Sequence, residues 1–326
     1  VFRGCQVMAI KHRKLKLTGQ RTKWVQGRDV NLRGTPTRIN PQNVNAMAAP
    51  VVEIFEKMHK DIYNQITRLF KTPTAKNSIQ KTEQDDSLKD AGMIDVAMDS
   101  VAMDASISEQ AILLTNKLVT KWTDRFNSFG DNWTKGMVNK VEKQSAKDLG
   151  KSMEKISGGL KIDTSQINGK TRDQILASSD QATSLIKSIG PNYSTQIKEA
   201  VNRSIVDSSS SFEALQASIQ SALTDKYKNH KNKAFNVTKD QIKKTYTGIT
   251  ASRMQDVGVN NYIWRHAGGS VKPRCFHRDV LNGQIFSLDN PPIIDEKTKV
   301  KGKPGDLPFC NCYMEPVISF ENKDKP

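Results

Sequence analysis

Apolar residues recur every three or four positions in two long segments of the chain. This spacing places each set on one face of an α-helix. The first segment, from about 44 to 70, carries Val51, Phe55, Met58, Ile62, Ile66 and Leu69. The second, from about 108 to 148, carries Leu118, Trp122, Phe126, Phe129, Trp133, Met137 and Val141. The pattern predicts two long amphipathic helices, whose aromatic side chains form a core with neighbouring helices or an interface for a partner.

Shorter helices are predicted over residues 171–257. Gly190-Pro191 predicts a helix end, because glycine suits a C-terminal cap and proline cannot continue a helix. Two capping boxes, Ser210-x-x-Glu213 and Thr238-x-x-Gln241, predict two helix starts. The last of these helices is expected to end near Gly258.

After Gly258 the pattern changes to short β-like runs and loops. Tyr262-Ile-Trp264 predicts a strand, Asn282-Gly283 followed by Gln284-Ile-Phe286 predicts a hairpin, and Pro316-Val-Ile-Ser-Phe320 predicts a last strand. The expected fold class is mainly α, an elongated helical body with a small, loop-rich C-terminal α+β module that contains cysteine and histidine. The predicted units are a basic, flexible arm at 1–40, an amphipathic helix at 41–76, an acidic linker at 77–108, a helical body at 109–258 and the C-terminal module at 259–326.

Charge is distributed unevenly along the chain. Its 50 lysines and arginines outnumber 34 acidic residues, a net charge of +16, which favours a polyanionic partner or an anionic protein surface. Residues 1–40 hold ten basic residues and one acid, whereas residues 77–108 hold seven acids and two lysines, a net of −5. The arm is expected to contact DNA or an acidic surface, or else to be a tail with no partner. Its candidate contacts are Arg3, Lys11, Arg13, Lys14, Lys16, Arg21, Lys23 and Arg28.

Composition narrows the class of protein. Hydrophobic residues make up 36% of the chain, below the roughly 45–50% of an average globular domain, which favours a helical body that completes its burial against partners. No segment approaches the ~20 apolar residues of a membrane helix. Phosphate-loop, dinucleotide-binding, nucleophile-elbow and zinc-protease motifs are absent from the sequence. We therefore expect neither an enzyme nor a membrane protein.

Three of the four cysteines lie close to the C-terminus, in Cys275-Phe-His277 and Cys310-Asn-Cys312. On extended strands, residues i and i+2 face the same side. Two such pairs would offer three sulfurs and one imidazole, a set that suits a structural, tetrahedral zinc, which would add folding energy to a small module. The alternatives are reduced thiols with an unrelated histidine, or a disulfide from Cys275. His266 is a spare candidate ligand.

Residues 237–317 resemble the phage Mu F-like family of head morphogenesis proteins. The similar elements follow one order: Val237-Thr-Lys-Asp-Gln-Ile, Gly258-Val-Asn-Asn-Tyr-Ile-Trp-Arg-His-Ala-Gly, Val271-Lys-Pro-Arg-Cys-Phe-His-Arg, Asn282-Gly-Gln-Ile-Phe, Asn290-Pro-Pro, and Pro304-Gly-Asp before Cys310-Asn-Cys. The chain departs from the family pattern at Asn282, where aspartate is commoner, at Gly268-Gly-Ser, and by one extra residue after His277. The helical body before 237 is similar to the family only in character.

The resemblance implies a non-enzymatic minor head protein of a tailed bacteriophage. Such proteins lie at the portal vertex or in the capsid interior and aid head assembly and DNA packaging or delivery. The implied partners are the portal protein, a coat or scaffolding protein and genomic DNA, and the implied location is the virion, reached from the host cytoplasm. One alternative is a nucleic-acid-binding protein or metal-dependent nuclease that uses the module, with His266, His277 and Asp279 near a metal. A third is a delivered effector, because modules of this family also occur fused to toxin domains.

Overall fold

Four long helices and a four-stranded antiparallel sheet make up most of the described part of the chain. The computed structural model describes residues 30–71, 107–207, 212–268 and 275–320. The helices are α1 (Pro41–Lys71), α2 (Ile107–Ile156), α3 (Gly169–Asp207) and α4 (Phe212–Asp256). The strands are β1 (Val30–Arg33), β2 (Asn261–Arg265), β3 (Ile285–Ser287) and β4 (Tyr313–Phe320). A turn of π-helix spans His277–Leu281. The predicted mainly α fold with a small C-terminal module is confirmed.

Both predicted apolar stripes lie inside the helical bundle. All members of the two stripes are buried except Phe129, which is half-buried. Trp122 and Trp133 are only 1% and 8% exposed. Their indole N–H groups donate to Asp61 Oδ2 at 2.7 Å and to the Met47 carbonyl at 2.8 Å. The prediction that these tryptophans form an interface for a partner is therefore wrong. Their rings are buried inside the chain, and their indole N–H groups already donate hydrogen bonds within it.

Helix α3 continues through Gly190-Pro191, so the predicted helix end there is wrong. An interior proline costs about 3 kcal/mol in a helix, and tertiary packing offsets that cost here. A Cβ at position 190 would lie 2.3 Å from Phe126 Cδ2, so the glycine allows α3 to approach α2 closely. Gly190 is therefore needed for the close contact between the two helices, and it does not cap a helix end.

Helix α4 also runs without a break where a start was predicted. Thr238 is buried within it and donates from Oγ1 to the Ala234 carbonyl at 2.7 Å, which is the bond of a threonine inside a helix. The capping box at 238–241 is therefore wrong, and Ser210 of the other box lies outside the described residues. The end near Gly258 is confirmed: Gly258 has φ +76°, and the Val259 N–H donates to the Met254 carbonyl at 2.8 Å.

The sheet joins the two ends of the described chain. Its order is β1-β4-β2-β3, with Leu32 opposite Ile318 and Tyr262 opposite Pro316. Strand β1 belongs to the stretch predicted to be a flexible arm. That prediction is wrong for residues 30–40, because backbone pairing with β4 and the helix start at Pro41 make them part of the fold. Residues 1–29 and the acidic linker at 77–106 lie outside the described residues.

The turn at Asn282-Gly283 exists, but it does not join two strands. Gly283 has φ +85°, the conformation that glycine supplies without strain. The residues before the turn are helical, and β3 after it pairs with β2. The predicted hairpin is wrong because His277 and Leu281, four residues apart, both bury their side chains against the module core.

The C-terminal module packs on the end of the helical bundle. Its core contains Leu149 and Met153 of α2, Met254 of α4, and Tyr262 and Trp264 of β2. Beside this junction the buried guanidinium of Arg253 pairs with Glu142 and donates to the carbonyls of Thr164 and Gln166.

None of the described helices combines the length and apolarity that crossing a bilayer requires.

We predict that Gly190→Ala lowers the free energy of unfolding by about 2 kcal/mol, because the new methyl group would overlap the Phe126 ring. The matched control is Gly136→Ala on α2, where an added Cβ meets nothing within 4 Å. There the better helix propensity of alanine is expected to raise stability by up to about 1 kcal/mol. Urea unfolding of both variants measures the two effects, and equal stability of Gly190→Ala and the unmodified chain would contradict the close α2–α3 contact.

Candidate metal centre

His277, Cys310 and Cys312 come together although the histidine is 33 and 35 positions from the two cysteines. His277 Nδ1 lies 3.5 Å from Cys310 Sγ and 3.6 Å from Cys312 Sγ. All three side chains are buried, and their ligand atoms lie within 4.8 Å of one another. This group can hold a metal ion.

The π-helical turn and its neighbours orient the imidazole of His277. The ring meets the Trp264 indole edge-on, with 5.1 Å between centroids. His277 Nε2 lies 2.8 Å from the Ile294 carbonyl oxygen. A carbonyl can only accept, so Nε2 carries a proton and Nδ1 is the ring nitrogen that faces the two sulfurs. A hydrogen bond of this kind from the second ring nitrogen is characteristic of metal-binding histidines.

Helix α4 holds the Cys-x-Cys segment in place just before β4. The Phe309 backbone N–H donates to Asp240 Oδ1 at 2.7 Å, and Lys243 Nζ donates to Asn311 Oδ1. Asn311 in turn donates from Nδ2 to the Gly268 carbonyl at 3.2 Å. Because Asn311 is tied to α4 and to the end of β2, the cysteines on either side of it are both buried in the module core.

The two buried thiols interact strongly with each other. A hydrogen bond from Cys312, followed by the contact with His277, lowers the pKa of Cys310 although burial opposes this. The same hydrogen bond, together with burial, raises the pKa of Cys312. One sulfur therefore ionises readily and the second does not, as long as they face only each other. A divalent cation between them would stabilise both thiolates.

Cys275 lies outside this group, although the sequence predicted it as a ligand. It is exposed, and the segment from 275 is helical where a strand was expected. Residues i and i+2 of a helix point to nearly opposite sides, about 200° apart, so Cys275 cannot share a face with His277. Cys275, Cys310 and Cys312 are all free thiols, so the structure does not contain the alternative disulfide.

His266, the spare candidate, lies beside the group. Its Nδ1 is 3.5 Å from Cys312 Sγ. The antiparallel register of β2 and β4 pairs Arg265 with Tyr313, and one further step along both chains brings His266 opposite Cys312. His266 and Cys312 are 46 positions apart in the chain. Their proximity follows only from the pairing of β2 with β4, which the spacing of cysteines and histidines in the sequence does not reveal.

The candidate contacts of the basic arm, from Arg3 to Arg28, lie outside the described residues. Two further basic residues of the stretch 1–40 are described. Arg33 lies in β1 opposite Val317. The Arg38 guanidinium lies over the Tyr313 ring, 5.4 Å from its centroid.

Among the curated proteins, the chain is distantly similar to a protein whose own function is not described. An uncharacterized protein of Haemophilus influenzae (strain ATCC 51907 / DSM 11121 / KW20 / Rd) is 26% identical over 218 residues, which cover 65% of this chain and 44% of that protein. The chain thus spans less than half the length of the relative it matches. No family model matches the chain, and no solved structure matches it.

Proposed function

We propose that this chain is a minor head protein of a tailed bacteriophage, a structural component of the virion at the portal vertex or in the capsid interior that aids head assembly and DNA packaging or delivery. The observation that carries the proposal is the resemblance of residues 237–317 to head morphogenesis proteins in six ordered elements. The fold adds support, because the second, third, fourth and sixth elements meet in the core of the C-terminal module, while the first lies in α4.

Several of the similar elements contact one another in the C-terminal module. Trp264 in the second element lies edge-on to His277 in the third and to Phe286 in the fourth, with centroids 5.1 Å and 6.3 Å apart. Cys310 and Cys312 share the same core. Residues of four of the six elements thus share one packed core.

Within this proposal, a zinc ion held by His277, Cys310 and Cys312 stabilises the module. Two thiolates and an imidazole are soft and borderline donors that suit zinc. Between β3 and β4 the module consists mainly of loops, so a metal would replace part of the energy that a larger core would supply. The burial of all three ligands favours a structural ion over the nuclease alternative, which needs an open metal position. Asp279, named for that alternative, is exposed and paired with its neighbour Arg278 at 2.7 Å.

We predict about one zinc ion per chain by elemental analysis of protein purified without added metal. Chelation is expected to lower the melting temperature, because the free energy of metal binding is part of the folding energy. The double variant Cys310→Ser/Cys312→Ser should contain no zinc and melt at a temperature that chelator does not change. Cys5→Ser is the control and should retain zinc. An unmodified chain that contains no zinc and does not respond to chelator would contradict the metal centre.

We predict that residues 1–29 bind DNA through phosphate contacts. Each neutralised phosphate adds about 0.9 to the slope of log K against log salt concentration, so deletion of residues 1–29 should flatten that slope in a filter-binding or anisotropy titration. The deletion leaves β1 intact. The control replaces the exposed Lys135, Lys140 and Lys147 of α2 by glutamine and should leave the slope unchanged. An unchanged slope after the deletion would show that the arm does not bind DNA.

We predict that the portal protein encoded in the same genome retains the full chain in an affinity capture after co-expression, and that the chain is present in purified virions. The Trp122 and Trp133 stripe is internal, so the contact is expected to involve the C-terminal module or another surface of the bundle. The Cys310→Ser/Cys312→Ser variant tests the module, because loss of its metal should weaken capture. Absence from virions together with no retention on the portal would overturn the minor head assignment and favour the nucleic-acid alternative.

A further inference from the structure

We infer that His266 is the fourth ligand of the metal centre, so that His266, His277, Cys310 and Cys312 form a closed site of two sulfurs and two imidazoles. The inference rests on the metal centre proposed above and replaces Cys275 of the sequence prediction. It gives the ion a structural role, because a closed tetrahedral site leaves no position for a reactive water.

The distances between ligand atoms match those of a tetrahedral zinc site. Bond lengths of about 2.3 Å to sulfur and 2.0–2.1 Å to nitrogen place a sulfur and a nitrogen about 3.6 Å apart on a tetrahedral edge. The three observed sulfur–nitrogen distances are 3.5 Å for Cys310–His277, 3.6 Å for Cys312–His277 and 3.5 Å for Cys312–His266. These three sulfur–nitrogen edges thus already have the length that a tetrahedral zinc site requires.

The backbone around His266 holds it at the edge of the site. It follows the last residue of β2, and its own N–H donates to Asn282 Oδ1 at 2.9 Å. Asn282 belongs to the turn that follows the His277 helix, so both histidines are positioned from the same side of the module. His266 is half-buried, and its Nδ1 is the ring nitrogen that lies 3.5 Å from Cys312 Sγ.

Cys275 has none of these features. Its side chain is exposed, and it precedes His277 by two residues in a helical segment. Its side chain and that of His277 therefore point to nearly opposite sides of this segment. The geometry therefore selects the imidazole of His266 over the third thiol.

Cobalt(II) titration distinguishes the two ligand sets, because sulfur-to-cobalt charge transfer in the near ultraviolet increases with the number of bound thiolates. If His266 is the fourth ligand, the full-length protein has two cobalt–sulfur bonds, and Cys275→Ser keeps both the band and the affinity. His266→Cys adds a third sulfur and should raise the band about 1.5-fold, in proportion to the thiolate count. His266→Ala should weaken cobalt binding at least tenfold and reduce the visible absorption of tetrahedral cobalt.

Three other results would overturn the inference. A band that falls by about a third in Cys275→Ser and does not rise in His266→Cys would make Cys275 the ligand. Unchanged affinity in both His266→Ala and Cys275→Ser would leave three protein ligands and an open position, while the metal centre itself would stand. An unmodified chain that binds neither cobalt nor zinc would remove the metal centre and this inference together. Equal urea midpoints of metal-free His266→Ala and metal-free unmodified protein exclude misfolding as the cause of weak binding.

Discussion

The burial of the C-terminal part of α4, from Thr238 to Met254, determines how the rest of the molecule is arranged. Ile242 and Ile249 pack in the helical bundle, and one to two turns further on Met254 packs in the core of the C-terminal module. The same helix holds the Cys-x-Cys segment through Asp240 and Lys243. Because one rigid helix takes part in both cores, the metal centre keeps a defined position relative to the bundle.

The N-terminal segment completes the module from the other end of the chain. Strand β1 covers the side of β4 that faces away from β2, and Thr37 continues the contact through its N–H and hydroxyl to the Met314 carbonyl at 2.8 and 2.9 Å. An uncovered β4 would present unpaired backbone groups to other chains. Any DNA-binding arm therefore consists of residues before Val30. It connects directly to β1, which is part of the module that contains the candidate metal centre.

The chemistry of the centre favours stability over catalysis. Its three candidate ligands are buried, and Asp279, two residues from His277 in the chain, is exposed and paired with Arg278. A structural ion of this kind suits a protein whose proposed role is assembly, because the module must keep its shape against a partner without a large core of its own.

The sequence by itself determined the mainly α class, the apolar faces of α1 and α2, the end of α4 at Gly258 and the candidate metal-binding residues His277, Cys310 and Cys312. Those features depend on local periodicity and residue chemistry, which are present in any short window. Only the tertiary structure decided that Gly190-Pro191 and Thr238 lie inside helices, because contacts with Phe126 and with the buried bundle override their local preferences. It also placed His266 beside Cys312 and left Cys275 exposed, since the register of β2 on β4 and a helical turn at His277 set which side chains meet, and neither follows from the spacing of cysteines along the chain.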